Sequence, residues 1–121
     1  VLLFLACASP YRIPADTLAR ALAERPDDYV VVDVRSEGEW SGSAGHIPGA
    51  LHRPWPGVKE TAASIPARPD QTVVLVCFTG HRSQWAMEAV DAALESPVID
   101  LRGGMMSWWS RGLPVVVEPK E

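Results

Sequence analysis

Only two of the 121 residues are cysteine, Cys7 and Cys77, and they stand far apart. A disulfide framework needs more than that, so the fold must stand without one. No group of His, Cys and acidic residues has the spacing of a metal site, so neither a zinc ion nor another cofactor is expected. No run approaches the ~20 apolar residues that cross a bilayer. Basic residues are also scarce, with eleven Lys and Arg against fifteen Asp and Glu for a net charge of −4. Without a Lys/Arg-rich tract to neutralise phosphates, nucleic acid is a poor partner. Internal repeats and low-complexity tracts are absent. What remains is 47% apolar and 21% charged, too hydrophobic for disorder. The length suits one domain that buries its own core, and with no second domain in view a monomer is expected.

The chain divides into an N-terminal segment over 1–10, a domain over 11–116 and a tail over 117–121. Val1 to Ala8 is wholly apolar and stops at Ser9-Pro10. It reads as the end of a secretory leader, with small residues near a cleavage site. A second reading makes Cys7 the acylated cysteine of a lipoprotein signal, and a third a short packing strand. The first two imply an exported or periplasmic protein, the third leaves a cytoplasmic one open.

Strand-like and helix-like segments alternate through the domain. Tyr11-Arg12-Ile13 reads as a short edge strand. Pro14 suits the first turn of a helix, with Asp16 near its positive end and Pro26 as its stop. Three runs are apolar enough to be covered on both faces: Tyr29 to Val34, Thr72 to Cys77 and Val98 to Leu101. Such β-branched runs separated by helices are what a buried parallel sheet requires. A helix is expected from Ser83 to Leu94, with Ala86, Ala89, Val90, Ala93 and Leu94 forming one stripe against the sheet. From Glu37 to Asp70, Gly, Pro and Ser are frequent and periodicity is weak, which predicts short helical turns, loops and a brief strand near Ala50 to His52. A last helix over Gly104 to Arg111 is capped by Gly112 and stopped by Pro114. The expected architecture is one α/β domain, a mostly parallel sheet of about five strands with helices on both faces.

Ligands of such sheets bind beyond the carboxyl ends of the strands. Cys77 ends the most apolar strand and is followed by Phe78-Thr79-Gly80-His81-Arg82-Ser83 and then a helix. A strand, a glycine-bearing loop and a helix N-terminus together turn backbone N–H groups and a partial positive charge toward one spot. A thiol there has its thiolate stabilised, with His81 and Arg82 as further cations. The functional reading is a nucleophilic cysteine whose anionic product rests in the same cradle. The plain alternative is a small hydrophobe at the end of a buried strand.

The segment Cys77 to Ser83 resembles the C-x-x-G-x-R-S active-site loop of the rhodanese family of sulfurtransferases. Asp33-Val34-Arg35-Ser36-Glu37-Gly38-Glu39-Trp40 with Gly45-His46-Ile47-Pro48-Gly49-Ala50 is similar to the family's D-x-R, E-[YFW] and G-H-I-x-G-A stretch. Leu101-Arg102-Gly103-Gly104-Met105, Trp108 and Gly112-Leu113-Pro114-Val115 are similar to its G-G-x-x-x-W and G-L-P-V ending. The likeness runs through residues 11–116 with all three motifs in order. One departure is the spacer Ser41-Gly42-Ser43-Ala44, longer than relatives carry, which is expected to bulge a surface loop near the site rim.

The resemblance implies a rhodanese-like domain in which the Cys77 thiolate takes a sulfane sulfur from a donor anion such as thiosulfate and passes it to cyanide or a thiol. The amides of Phe78, Thr79, Gly80, His81 and Arg82 would hold the persulfide, with Ser83 supporting the loop. Arg82 either attracts the donor or fastens the loop through an ion pair, for which Glu39 is the expected partner. His81 is a further donor-binding cation, and Phe78 an apolar wall or shield. Asp33 and Arg35 are expected to set the site floor through hydrogen bonds, and His46 to be a turn and packing residue. Trp108 and Trp109 are core and rim aromatics, while Trp55 packs or lines the mouth. Two other classes stay open. One is a rhodanese-like binding or sensing module without turnover. The other is a cysteine phosphatase or arsenate reductase relative, disfavoured because those resemble C-x5-R, whereas here Arg82 gives C-x4-R.

Overall fold

The computed structural model describes residues 12–117. The apolar N-terminal run with Cys7, Tyr11 of the expected first strand, and residues 118–121 of the tail lie outside the described residues. Five strands form one sheet: β1 (Arg12–Ile13), β2 (Tyr29–Asp33), β3 (Leu51–His52), β4 (Thr72–Val76) and β5 (Val98–Leu101). Their spatial order is β1-β5-β4-β2-β3. Every pair is parallel, with Val32 opposite Leu75 in β2–β4 and Arg12 opposite Asp100 in β1–β5.

The continuous apolar runs have a direct cause. Successive side chains of a strand point to opposite faces, and here both faces are covered. Val32, Val73, Leu75 and Cys77 pack on one side with Val58, Ala86 and Val90. Val31, Val74 and Val76 pack on the other with Leu18, Met105 and Trp108. The first face therefore carries α3 (Val58–Thr61) and α4 (Arg82–Ala93), the second α1 (Ala15–Glu24) and α5 (Gly104–Ser110).

The long glycine- and proline-rich stretch holds α2 (Glu37–Trp40), β3, α3 and a 3-10 turn over Ala62–Ser64, as expected from its weak periodicity. α2 is only one turn long and survives through a capping box. The Glu39 amide donates to the Ser36 hydroxyl at 3.2 Å, and the Ser36 amide donates to Glu39 Oε1 at 2.9 Å, so the orphan donors of the first turn are satisfied reciprocally. The Ser41–Ala44 spacer follows it as a turn, closed by the Gly45 amide on the Gly42 carbonyl.

The buried face of α4 differs from the expected alanine stripe. Ser83, Ala86 and Val90 face the core and Met87 and Leu94 pack at its edge, while Ala93 is exposed and Ala89 half-buried. The helix is rotated because its first turn aims the polar Ser83 inward to hydrogen-bonding partners, which hydrophobic periodicity alone does not register.

α5 ends in a Schellman motif, with the Gly112 amide on the Trp109 carbonyl and the Leu113 amide on the Trp108 carbonyl, and Gly112 in the left-handed region at φ +64°. Gly104, at the other end of α5, is also left-handed, at φ +59°. There a Cβ would stand 2.5 Å from the Cys77 carbonyl oxygen and 2.6 Å from that of Phe78, whereas nothing crowds one at Gly112. Gly112→Ala should therefore cost about 1 kcal/mol, the left-handed penalty alone. Gly104→Ala should cost at least about 3 kcal/mol, because collision adds to strain. Urea denaturation of the two variants checks the difference.

Candidate active site

The site is built where β4 passes into α4. The carbonyls of Cys77 and Phe78 accept from the amides of Met105 and Met106 at 2.8 and 3.0 Å, so the first turn of α5 holds one side of the loop. In a trans peptide the N–H points opposite to the C=O. The amides of Phe78 and Thr79 are thus turned away from α5. Gly80, at φ +101°, completes the reversal and brings its N–H to 2.9 Å from Cys77 Sγ. The Ser83 hydroxyl lies 3.5 Å from the same sulfur.

Cys77 is 1% exposed, so the sulfur lies beneath its own loop, with an amide and a hydroxyl converging on it. Among the described residues, the Gly80 N–H is the backbone donor that reaches it.

Arg82 opens α4 and points back to α2. Its Nη1 and Nη2 donate to Glu39 Oε1 and Oε2 at 2.7 and 2.9 Å, the fork-on-carboxylate geometry of a strong pair. The expected partner is the observed one, and the guanidinium fastens the loop to the body. Hydrogen bonding from Arg82 outweighs partial burial and holds the Glu39 carboxyl down at about 2. In turn Glu39, ahead of burial, pushes Arg82 above its ordinary value.

His81 is exposed on the outside of the loop, its Nδ1 sharing a hydrogen with Thr79 Oγ1 over 2.9 Å. Phe78 is exposed and meets Trp109 edge-on at 5.9 Å. Asp33 and Arg35 are a buried fork pair, closest at 2.8 Å, and Arg35 Nη2 also donates to the Gly45 carbonyl at 3.1 Å. These hydrogen bonds tie the end of β2 to the Gly45 turn. Arg35 also lies 5.6 Å over the ring of Trp109, which in turn meets Phe78 of the loop. His46 is buried and stacks on Trp40 at 3.5 Å, with Nδ1 3.1 Å from the Trp40 carbonyl, in keeping with a packing role. Trp108 is core, and Trp55 packs against the core and tilts onto Trp85 at 6.3 Å.

The family model of the rhodanese-like domain matches residues 15–111. The chain belongs to the rhodanese-like domain family. A sulfurtransferase of Allochromatium vinosum is 34% identical over 104 residues, covering 86% of this chain and 92% of that one. A solved thiosulfate sulfurtransferase from Pseudomonas aeruginosa superposes with a TM-score of 0.74 at 27% identity, over 88% of this chain but 19% of that one. A Rhodopseudomonas palustris protein described as of unknown function and a possible tyrosine phosphatase superposes at 0.75 with 26% identity, over 94% and 90% of the two chains.

Two residues of this rhodanese-like site escaped the sequence reading. Asp100 of β5, fully buried, accepts from the Ser83 hydroxyl and from Arg12 Nε and Nη2 at 3.3 and 3.1 Å. Burial raises the Asp100 carboxyl above its ordinary value, against the lowering pull of Ser83 and Arg12. A charged residue within the apolar run Val98-Ile99-Asp100-Leu101 was the available signal, since a buried charge needs a partner.

The Arg82–Glu39 pair gives a testable stability pattern. Glu39→Gln keeps a cap-competent residue at that position of α2 and removes the charge. It should cost about 1–2 kcal/mol at pH 7, as should Arg82→Ala, with the double variant costing no more than either alone. The Glu39 carboxyl sits at about 2 in the folded protein, below its ordinary 4.5. Its contribution is therefore present above pH 4.5 and lost as the pH falls toward 2. Urea unfolding across that window should show wild type and Glu39→Gln converging.

Proposed function

We propose that the protein is a sulfurtransferase. It moves a sulfane sulfur from thiosulfate, or a donor of that kind, to cyanide or a thiol through a persulfide on Cys77. The observation that carries this reading is the Cys77 sulfur at the head of α4 with the Gly80 N–H directed at it from 2.9 Å. Kinship with chains named sulfurtransferase supports it.

The Cys77 thiolate attacks the outer sulfur of thiosulfate. A new S–S bond forms, the donor's S–S bond breaks, and its electron pair leaves on sulfite. The persulfide keeps one negative charge on its terminal sulfur, for which preset N–H donors and the helix N-terminus are suited because they need not reorganise. Cyanide or a thiolate then attacks that terminal sulfur and the pair returns to Cys77. The cycle is covalent catalysis of ping-pong order and calls on no cofactor. Burial of Cys77 favours a slender donor whose terminal atom enters first.

Phosphoryl chemistry fits less well. With Arg82 five positions after Cys77 the loop is one residue shorter than C-x5-R, and its guanidinium is engaged by Glu39 instead of being turned to an oxyanion.

Incubation with thiosulfate followed by intact-protein mass spectrometry should show the gain of one sulfur atom, absent in Cys77→Ser. Turnover of p-nitrophenyl phosphate should be negligible. No sulfur gain in either protein would sink the transferase reading in favour of a binding module, and phosphate release lost in Cys77→Ser would favour the phosphatase.

A further inference from the structure

A polar chain crosses the interior behind the reactive sulfur. Cys77 ends β4, Ser83 lies in the first turn of α4, Asp100 sits in β5 and Arg12 in β1. The Ser83 hydroxyl is within reach of Cys77 Sγ on one side, at 3.5 Å, and of Asp100 Oδ1 on the other. Arg12 grips the second oxygen, Oδ2, of the same carboxylate. Cys77, Ser83 and Asp100 are each no more than 1% exposed, so water does not screen the path.

A hydroxyl carries one hydrogen, and both of its neighbours here can take or give one. From this geometry we infer that Asp100 is the proton acceptor for Cys77, working through Ser83. This rests on the sulfur-transfer reading of the site and supplies its missing base, because a nucleophilic thiol must first lose its proton. In the step, the S–H bond of Cys77 breaks as its proton passes to Ser83 Oγ. The Ser83 hydrogen passes to Asp100 Oδ1 at the same time. The products are a Cys77 thiolate receiving the Gly80 N–H and a neutral Asp100 acid, with total charge unchanged.

The shared charge explains why a carboxylate is tolerated there. Thiolate and carboxylate together would put two negative charges in a dry interior, whereas one proton shared between them leaves a single charge. Burial already favours the protonated acid, and Arg12 keeps the acid from being locked in that form. Asp100 thus acts on the thiol through Ser83 and does not itself touch the reacting sulfur. Among the described residues, the charged groups tied to this pair are Arg12 from β1 and Arg82 at the start of α4, itself held by Glu39 of α2 and within the field of Asp33 at the end of β2. His81 is exposed and engaged with Thr79.

The test reads the thiolate directly, by its near-240 nm absorbance against pH, as the difference between Cys7→Ser and Cys7→Ser/Cys77→Ser proteins. A pair that shares one proton titrates in two separated steps, with a plateau of nearly constant thiolate fraction between them. Adding Asp100→Asn, which keeps shape but accepts no proton, should replace that plateau by one sigmoid, with the thiolate at pH 6 reduced about tenfold or more. Ser83→Ala, which leaves the Arg12–Asp100 pair intact, should do the same and serves if Asp100→Asn fails to fold. An unchanged profile in the folded variants, or more thiolate at pH 6, overturns the relay. Sulfur loading from thiosulfate is scored separately. Loading without the plateau rejects the relay and keeps the transferase, and the plateau without loading does the reverse.

Discussion

The peptide groups of Cys77 and Phe78 are the constraint on which the site depends. Their carbonyls are claimed by the first turn of α5, and planarity then turns the following amides the other way. Gly104 makes this possible, because only a residue without a Cβ lets α5 approach those two oxygens. The loop's shape therefore comes from a helix that contributes no side chain to the chemistry. Gly80 finishes the reversal, and the sulfur lies where an amide and a hydroxyl meet.

Around this loop, charges act as fasteners more than as ligands. Arg82 binds α4 to α2 through Glu39, and Arg35 binds the end of β2 to the Gly45 turn through Asp33. Glu39 serves both as half of the capping box and as the clamp on Arg82. The Asp33–Arg35 pair, fully buried, is costly to break one-sidedly because the remaining charge stays buried. Arg12 and Asp100 differ in having Ser83 between them and the thiol, so the same buried charge has a chemical outlet.

The interior strands were legible because covered parallel strands need apolar residues at every position, and β2, β4 and β5 carry them. The Cys77 loop was legible from its order of strand, glycine and helix, and through its likeness to a known motif. Ser36 and Glu39 also spell a capping box, a signal that was present but overlooked between stretches of weak periodicity. The face of α4 was misjudged because Ser83 counts as polar in a pattern yet is buried by its bonds. Arg12 lies 88 residues from Asp100, and nothing local to either announces the pairing. The burial of Cys77 was legible in part, because it ends a run read as covered on both faces, but the loop folded over its sulfur was not.

The sheet's outermost strands, β1 and β3, have two residues each. The most apolar segment, Thr72–Val76, lies between β2 and β5, while β3 covers β2 only along Val32 and Asp33. Short rims give a neighbouring molecule almost no unsatisfied backbone to zip onto. Among the described residues, Thr72–Val76 can therefore template cross-β stacking only after its neighbours β2 and β5 have separated from it.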